Sequence, residues 1–196
     1  MLVTSQAKAP LDWSRDGRFL LYSTQDPKTG TDLWALPMTG ERKPFAVLQG
    51  RFDEIEGQFS PDGRWLAYAS NESGRDEIYV RTFPEAGGPW QVSVAGGLHP
   101  RWARDGSELF YVAPDTRLMA VPIRVTPETR ALDAGVPVAL FPTRLATGAF
   151  IVTSGYQARA QYAVAADGRF LMNVSADEAV TSPITIVQNW AVGLTK

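Results

Sequence analysis

An aspartate-glycine pair followed by a hydrophobic run occurs four times in this chain, at Asp16-Gly17, Asp62-Gly63, Asp105-Gly106 and Asp167-Gly168. The intervals are 46, 43 and 62 residues. The copies agree beyond the dipeptide. Four residues after each aspartate stand Leu20, Leu66, Leu109 and Leu171; six after stand Tyr22, Tyr68, Tyr111 and then Asn173. Three before stand Trp13, Phe59, Trp102 and Val164. Such a chain folds by repetition, each copy burying its apolar faces only against its neighbours.

Each copy reads as a hairpin. In Ser60-Pro61-Asp62-Gly63, proline fixes φ at the first central position, aspartate suits the second and glycine accepts positive φ. That is a type I turn with a glycine bulge between antiparallel strands. The following strands, Phe19–Tyr22 and Trp65–Tyr68, are almost continuously apolar, which requires cover on both faces. A third strand is expected at Asp32–Met38, Glu77–Phe83, Arg117–Ile123 and Ile184–Trp190, and a fourth at Phe45–Leu48, Trp90–Val94 and Val136–Phe141.

The first two intervals fit the period of about 40–45 residues of a four-stranded propeller blade. The expected fold is therefore all-β: one β-propeller domain over residues 1–196, with blades near 9–48, 56–95, 99–141 and 156–196. The long third interval places an insertion near 126–155, expected as an extended connection and a long loop. Leu2–Ser5 read as a fourth strand without a blade of its own. Either they complete the last blade and close a ring, or the four blades are part of a longer array, which leaves open blade edges able to self-associate.

Composition agrees. The 196 residues include 17 Gly and 14 Pro, as many tight turns require, and 44% hydrophobic residues, enough for a sizeable core. A net charge of −2 gives no field for nucleic acid or an anionic membrane. No apolar run approaches a membrane span, no signal-peptide pattern follows Met1, and there is no cysteine for disulfides or thiolate-held zinc.

The segments Phe59-Ser60-Pro61-Asp62-Gly63-Arg64-Trp65-Leu66-Ala67-Tyr68 and Trp13-Ser14-Arg15-Asp16-Gly17-Arg18 resemble the WD40-like (PD40) repeat of TolB-type propellers. That repeat is also found in the propellers of tricorn-like and prolyl-oligopeptidase-like peptidases. The run Ile184-Thr185-Ile186-Val187-Gln188-Asn189-Trp190 is similar to the end of bacterial eukaryotic-like serine/threonine kinases. In those proteins a PD40 propeller follows a membrane span, so the resemblance implies an extracytoplasmic, periplasmic-side location. The fourth copy departs from the pattern, with Ala166 where Pro61 stands and Asn173 in place of tyrosine.

No catalytic set accompanies the fold. There is no nucleotide-binding glycine loop, no His-Arg-Asp or Asp-Phe-Gly kinase motif and no Gly-x-Ser-x-Gly elbow. The single histidine, His99, has no histidine or cysteine partner for a metal, so no cofactor is expected. Asp12–Gly17 imitates the opening of a calcium loop, but Ser23 stands where its bidentate glutamate belongs. Trp13, Trp34, Trp65 and Trp102 fall at repeat positions, where blade packing explains them.

Binding is therefore expected on rim loops, which vary while the blades hold their geometry. The candidates are Arg51, Asp53, Glu54, Glu56, His99, Arg101, Gln157 and Arg159, with Lys8 beside them. Asp53, Glu54 and Glu56 read as a solvated acidic rim. The mixed charge of the whole candidate set suits a protein or peptide partner better than a phosphate polymer. The resemblance implies a non-catalytic binding or sensing module, the C-terminal part of a bacterial receptor-like kinase. Its alternatives are the accessory propeller of a serine peptidase and a free-standing TolB-like envelope protein.

Overall fold

The computed structural model describes residues 7–126, 131–145, 160–174 and the strand backbone of 184–187. Leu2–Ser5, Gln157, Arg159 and residues 127–130 and 146–155 of the expected insertion lie outside the described residues. Among the described residues every regular element is a strand, and no helix is long and apolar enough to cross a membrane.

Four antiparallel sheets follow one another along the chain. The first is β1 (Lys8–Trp13), β2 (Phe19–Asp26), β3 (Gly30–Pro37) and β4 (Phe45–Leu48), paired in that order. The second is β5 (Glu54–Phe59), β6 (Trp65–Ser70), β7 (Glu77–Thr82) and β8 (Trp90–Gln91). The third holds β9 (Leu98–Trp102), β10 (Glu108–Val112), β11 (Arg117–Thr126), β12 (Ala131–Ala134) and β13 (Val138–Pro142). The fourth contains β14 (Tyr162–Val164), β15 (Phe170–Asn173) and β16 (Ile184–Val187). They are the blades of a partial propeller.

The core lies between blades. Leu21, Leu33 and Ala35 of the first meet Phe59, Leu66 and Tyr68 of the second. Trp65, Ala67 and Ile78 of the second meet Leu98, Trp102, Leu109 and Tyr111 of the third. Phe110, Val112 and Leu118 meet Tyr162, Phe170 and Met172 of the fourth. Every residue of β6 is buried, because side chains on both faces enter a core.

The turn chemistry recurs in detail. The Ser14 hydroxyl donates to Asp16 Oδ1 at 2.7 Å and accepts the Phe19 N–H at 2.9 Å. Ser60 does the same with Asp62 and the Trp65 N–H, at 2.5 and 2.9 Å. Gly17, Gly63, Gly106 and Gly168 all have φ between +70° and +78°, in the region that favours glycine.

The fourth hairpin is one residue tighter than the others. In the first three blades the closing bonds run from Ser14, Ser60 and Ala103 to carbonyls five residues on; in the fourth Ala165 N–H reaches only Arg169 O. The register slips with it: Trp13, Phe59 and Trp102 oppose Leu20, Leu66 and Leu109, but Val164 opposes Phe170 rather than Leu171. A slip of one residue exchanges the two faces of a strand. Phe170 and Met172 therefore fill the core, and Leu171 is 51% exposed where Leu66 and Leu109 are buried.

Three other expectations are corrected. Trp13 does not pack between blades but is 53% exposed, since the described residues hold no preceding blade against β1. Strand β8 stops at Gln91 rather than Val94, because the Ser93 hydroxyl, not a backbone carbonyl, accepts the Ile78 N–H. The expected extended connection after β11 contains a strand of its own. Arg117–Ala120 pair with β13, while Ile123–Thr126 continue past the blade and pair with β12.

Candidate functional site

The inner strands β1, β5 and β9 carry a ladder of polar side chains from blade to blade. Asp12, Gln58 and Arg101 each stand four residues before the turn aspartate. Asp12 Oδ2 accepts the Phe59 N–H of the next blade at 2.9 Å, and Gln58 Oε1 accepts the Trp102 N–H of the blade after at 2.8 Å. Arg101 has no acceptor atom to offer, so the rule inverts. Its Nε–H donates to Tyr162 O at 3.4 Å, and the Tyr162 hydroxyl donates back to His99 O at 2.9 Å. The Arg101 guanidinium lies 5.9 Å from the Tyr162 ring centroid.

Two residues earlier in the second and third repeats stand Glu56 and His99. Both occupy bulges that interrupt their strand pairings, both have positive φ (56° and 59°), and both are buried. Glu56 Oε2 accepts the His99 backbone N–H at 2.5 Å, and its Oε1 stands 2.6 Å from His99 Nδ1. One carboxylate thus holds both the main chain and the ring of the only histidine. Gly57 follows because β5 passes close to blade one; a Cβ there would lie 2.7 Å from Leu21 Cδ2.

Burial controls the electrostatics. Desolvation raises the Asp12 carboxyl above its usual range, opposed by the hydrogen bonds it accepts and by Arg101 and Arg15. Burial likewise raises the Tyr162 phenol, so it remains a neutral donor. Glu54 is pushed up to about 8, by desolvation first and then by Asp32, Glu72 and Asp53. Its Oε2 is buried without a hydrogen-bond partner.

The expected rim residues divide into groups. Arg51 is exposed, its guanidinium 4.9 Å from the Phe52 ring centroid. Asp53 is half-buried and joins two blades: it accepts the Thr31 N–H at 2.8 Å and the Asn71 amide at 3.2 Å. Glu54, Glu56 and His99 are not on a solvated rim. They lie in strands β5 and β9, because the inner strands begin earlier than the sequence suggested. Arg101 is half-buried on β9. Asp12, Gln58 and Tyr162 were not anticipated, although the equal offset of Asp12, Gln58 and Arg101 from their turns was a usable signal. Among the described residues no three His, Asp or Glu side chains stand together as metal ligands.

No protein-family profile matches the chain, and no curated protein matches its sequence. Solved structures do match. TolB from Acinetobacter baumannii superposes with a TM-score of 0.62 at 15% identity, over 89% of this chain and 39% of that one. A puromycin-hydrolyzing peptidase from Mycobacterium tuberculosis gives 0.58 at 18%, over 85% and 28%. The Cps50 (Swd1) β-propeller domain of Myceliophteria thermophila gives 0.54 at 18%, over 95% and 58%. The chain spans less than two thirds of each of these structures, and at such identities the likeness shows the fold alone: a β-propeller.

Proposed function

We propose that this chain is a non-catalytic recognition module that binds a polar protein or peptide surface through its connecting loops, as the C-terminal propeller of a bacterial receptor-like serine/threonine kinase. The observation that carries the first half is the use made of its reactive side chains. His99 is bound at its backbone and at Nδ1 by Glu56, and Asp12 and Gln58 are spent on the next blade's N–H groups. A general base must instead reach a substrate proton. Arg51, on a connecting loop, is left exposed. The kinase assignment is supported by the closing run from Ile184 to Trp190 and by the PD40 repeat.

The likeness to a peptidase that contains a propeller favours a second reading, an accessory propeller gating a hydrolase. A peptide array probed with the purified chain, alongside a peptide-nitroanilide turnover assay, tests the first half. The expected result is saturable binding to a charged subset, weakened by Arg51→Glu, with no turnover. Turnover abolished by His99→Ala would overturn it. The adjoining coding sequence separates the two parents: a kinase domain upstream supports the first, a hydrolase domain the second.

A further inference from the structure

The Asp-Gly turns of the first three blades meet on the face opposite the connecting loops. Gly63 lies beside Asp16, Gly106 beside Pro61, and Arg15 Nη1 reaches from the first turn to the Arg104 carbonyl of the third at 3.0 Å. Between the second and third turns opens a groove of about 520 Å³, within the range of ligand sites. Its apolar lining includes Trp65, Trp102, Ile123 and Val125. Ile123 and Val125 stand on the part of β11 that outruns the blade and pairs with β12. The extra strand thus builds one side of the groove, leaving Val125 41% exposed.

The polar groups in this groove are unevenly satisfied. Trp102 is 6% exposed, yet its Nε1–H is buried without an acceptor. A buried donor left unpaired is costly, and such groups call for an explanation. Arg15 and Arg104 are exposed, and the Arg104 guanidinium has no partner among the described residues. Asp62 and Asp105 also line the groove, but each carboxylate already accepts bonds within its own turn: Asp62 from Ser60 and Arg64, Asp105 from the Ser107 N–H and hydroxyl. The unmet demand is for an acceptor beside apolar surface.

We propose that this groove binds a short acidic peptide segment. An apolar residue of the peptide packs against Trp65, Trp102 and Val125, and the adjacent carboxylate accepts from the exposed guanidiniums of Arg15 and Arg104. The groove is open and bordered by exposed charges, which suits a chain passing through it rather than an enclosed small molecule. The site lies on the opposite face from Arg51 and does not rest on the connecting-loop reading.

The test is a titration of the ¹⁵N-labelled chain with the blocked tripeptide acetyl-Phe-Glu-Phe-amide and with its glutamine counterpart. The Trp102 indole signal is assigned from the Trp102→Phe spectrum. The expected result is a saturable shift of that signal, since Trp102 lines the groove, with binding at least tenfold weaker for the glutamine peptide and for Arg104→Gln, and unchanged for Arg51→Ala. Equal binding of the two peptides, an unmoved Trp102 signal, or equally tight binding of phenylacetate would each overturn the proposal. Arg104 is exposed, so its variant retains the fold, and its spectrum verifies this directly.

Discussion

Glu56 and His99, one on each of two neighbouring inner strands, are joined twice: Oε2 to the His99 backbone N–H and Oε1 to Nδ1, at 2.5 and 2.6 Å. Both residues sit at positive φ, where side chains with a Cβ are disfavoured. Neither conformation is explained by local sequence. The backbone hydrogen bond and the close ring contact across the blade boundary offset the strain in both bulges at once. It belongs to the same ladder as Asp12 with Phe59 and Gln58 with Trp102.

The close passage of β5 against the first blade makes Gly57 a sensitive position. Its added Cβ would meet Leu21 Cδ2 at 2.7 Å and Leu33 Cδ1 at 3.1 Å, both fully buried. Gly57→Ala is expected to destabilise the chain by about 1–3 kcal/mol through overpacking. Urea denaturation measures this, with Gly50→Ala, where no atom lies within 4 Å, as the reference.

The slipped register of the fourth blade predicts unequal costs at equivalent repeat positions. Leu66→Ala empties a fully buried site and should cost about 2–5 kcal/mol, whereas Leu171→Ala, at 51% exposure, should cost less than about 1 kcal/mol. Thermal melts of the two variants decide the register. A Leu171 penalty matching that of Leu66 would place Leu171 in the core.

Glu54 gives the chain an alkaline weakness. Its carboxyl titrates near 8 in the fold against 4.5 for the free group, so between those values the folded state binds the extra proton. Its contribution to stability is full below pH 4.5, declines as pH rises and is lost above 8, at up to about 1.4 kcal/mol per pH unit. Asp12 and Asp76 are raised as well, so the comparison is with a variant. Glu54→Gln is expected to flatten the fall in melting temperature between pH 5 and 8 relative to the parent chain.

The blades were legible in the sequence because they are local. Turn residues at fixed offsets and apolar runs between them define each hairpin without knowledge of its neighbours, as in Ser60–Tyr68. What depends on contact between units was not legible. Glu56 and His99 resemble solvated rim residues until the bulges turn them across a blade boundary. The fourth copy matches the others in spelling at Leu171, but Ala165 lacks the hydroxyl with which Ser14 and Ser60 hold the longer turn open. Ala103 lacks it too and keeps the longer turn, so that loss alone does not set the register. The β12 strand was hidden because an apolar stretch as short as Ala131–Ala134 carries no period of its own.

The most direct test of the clamped scaffold is a double-mutant cycle on Glu56→Ala and His99→Ala, read by denaturant unfolding. Each single change strands buried polar groups, and Glu56→Ala alone should cost about 3–5 kcal/mol. The account predicts a coupling of about 1–3 kcal/mol between the two sites. Additive losses with no coupling would contradict it, because the His99 ring would then take no part in the contact with Glu56, the backbone bond being retained in His99→Ala.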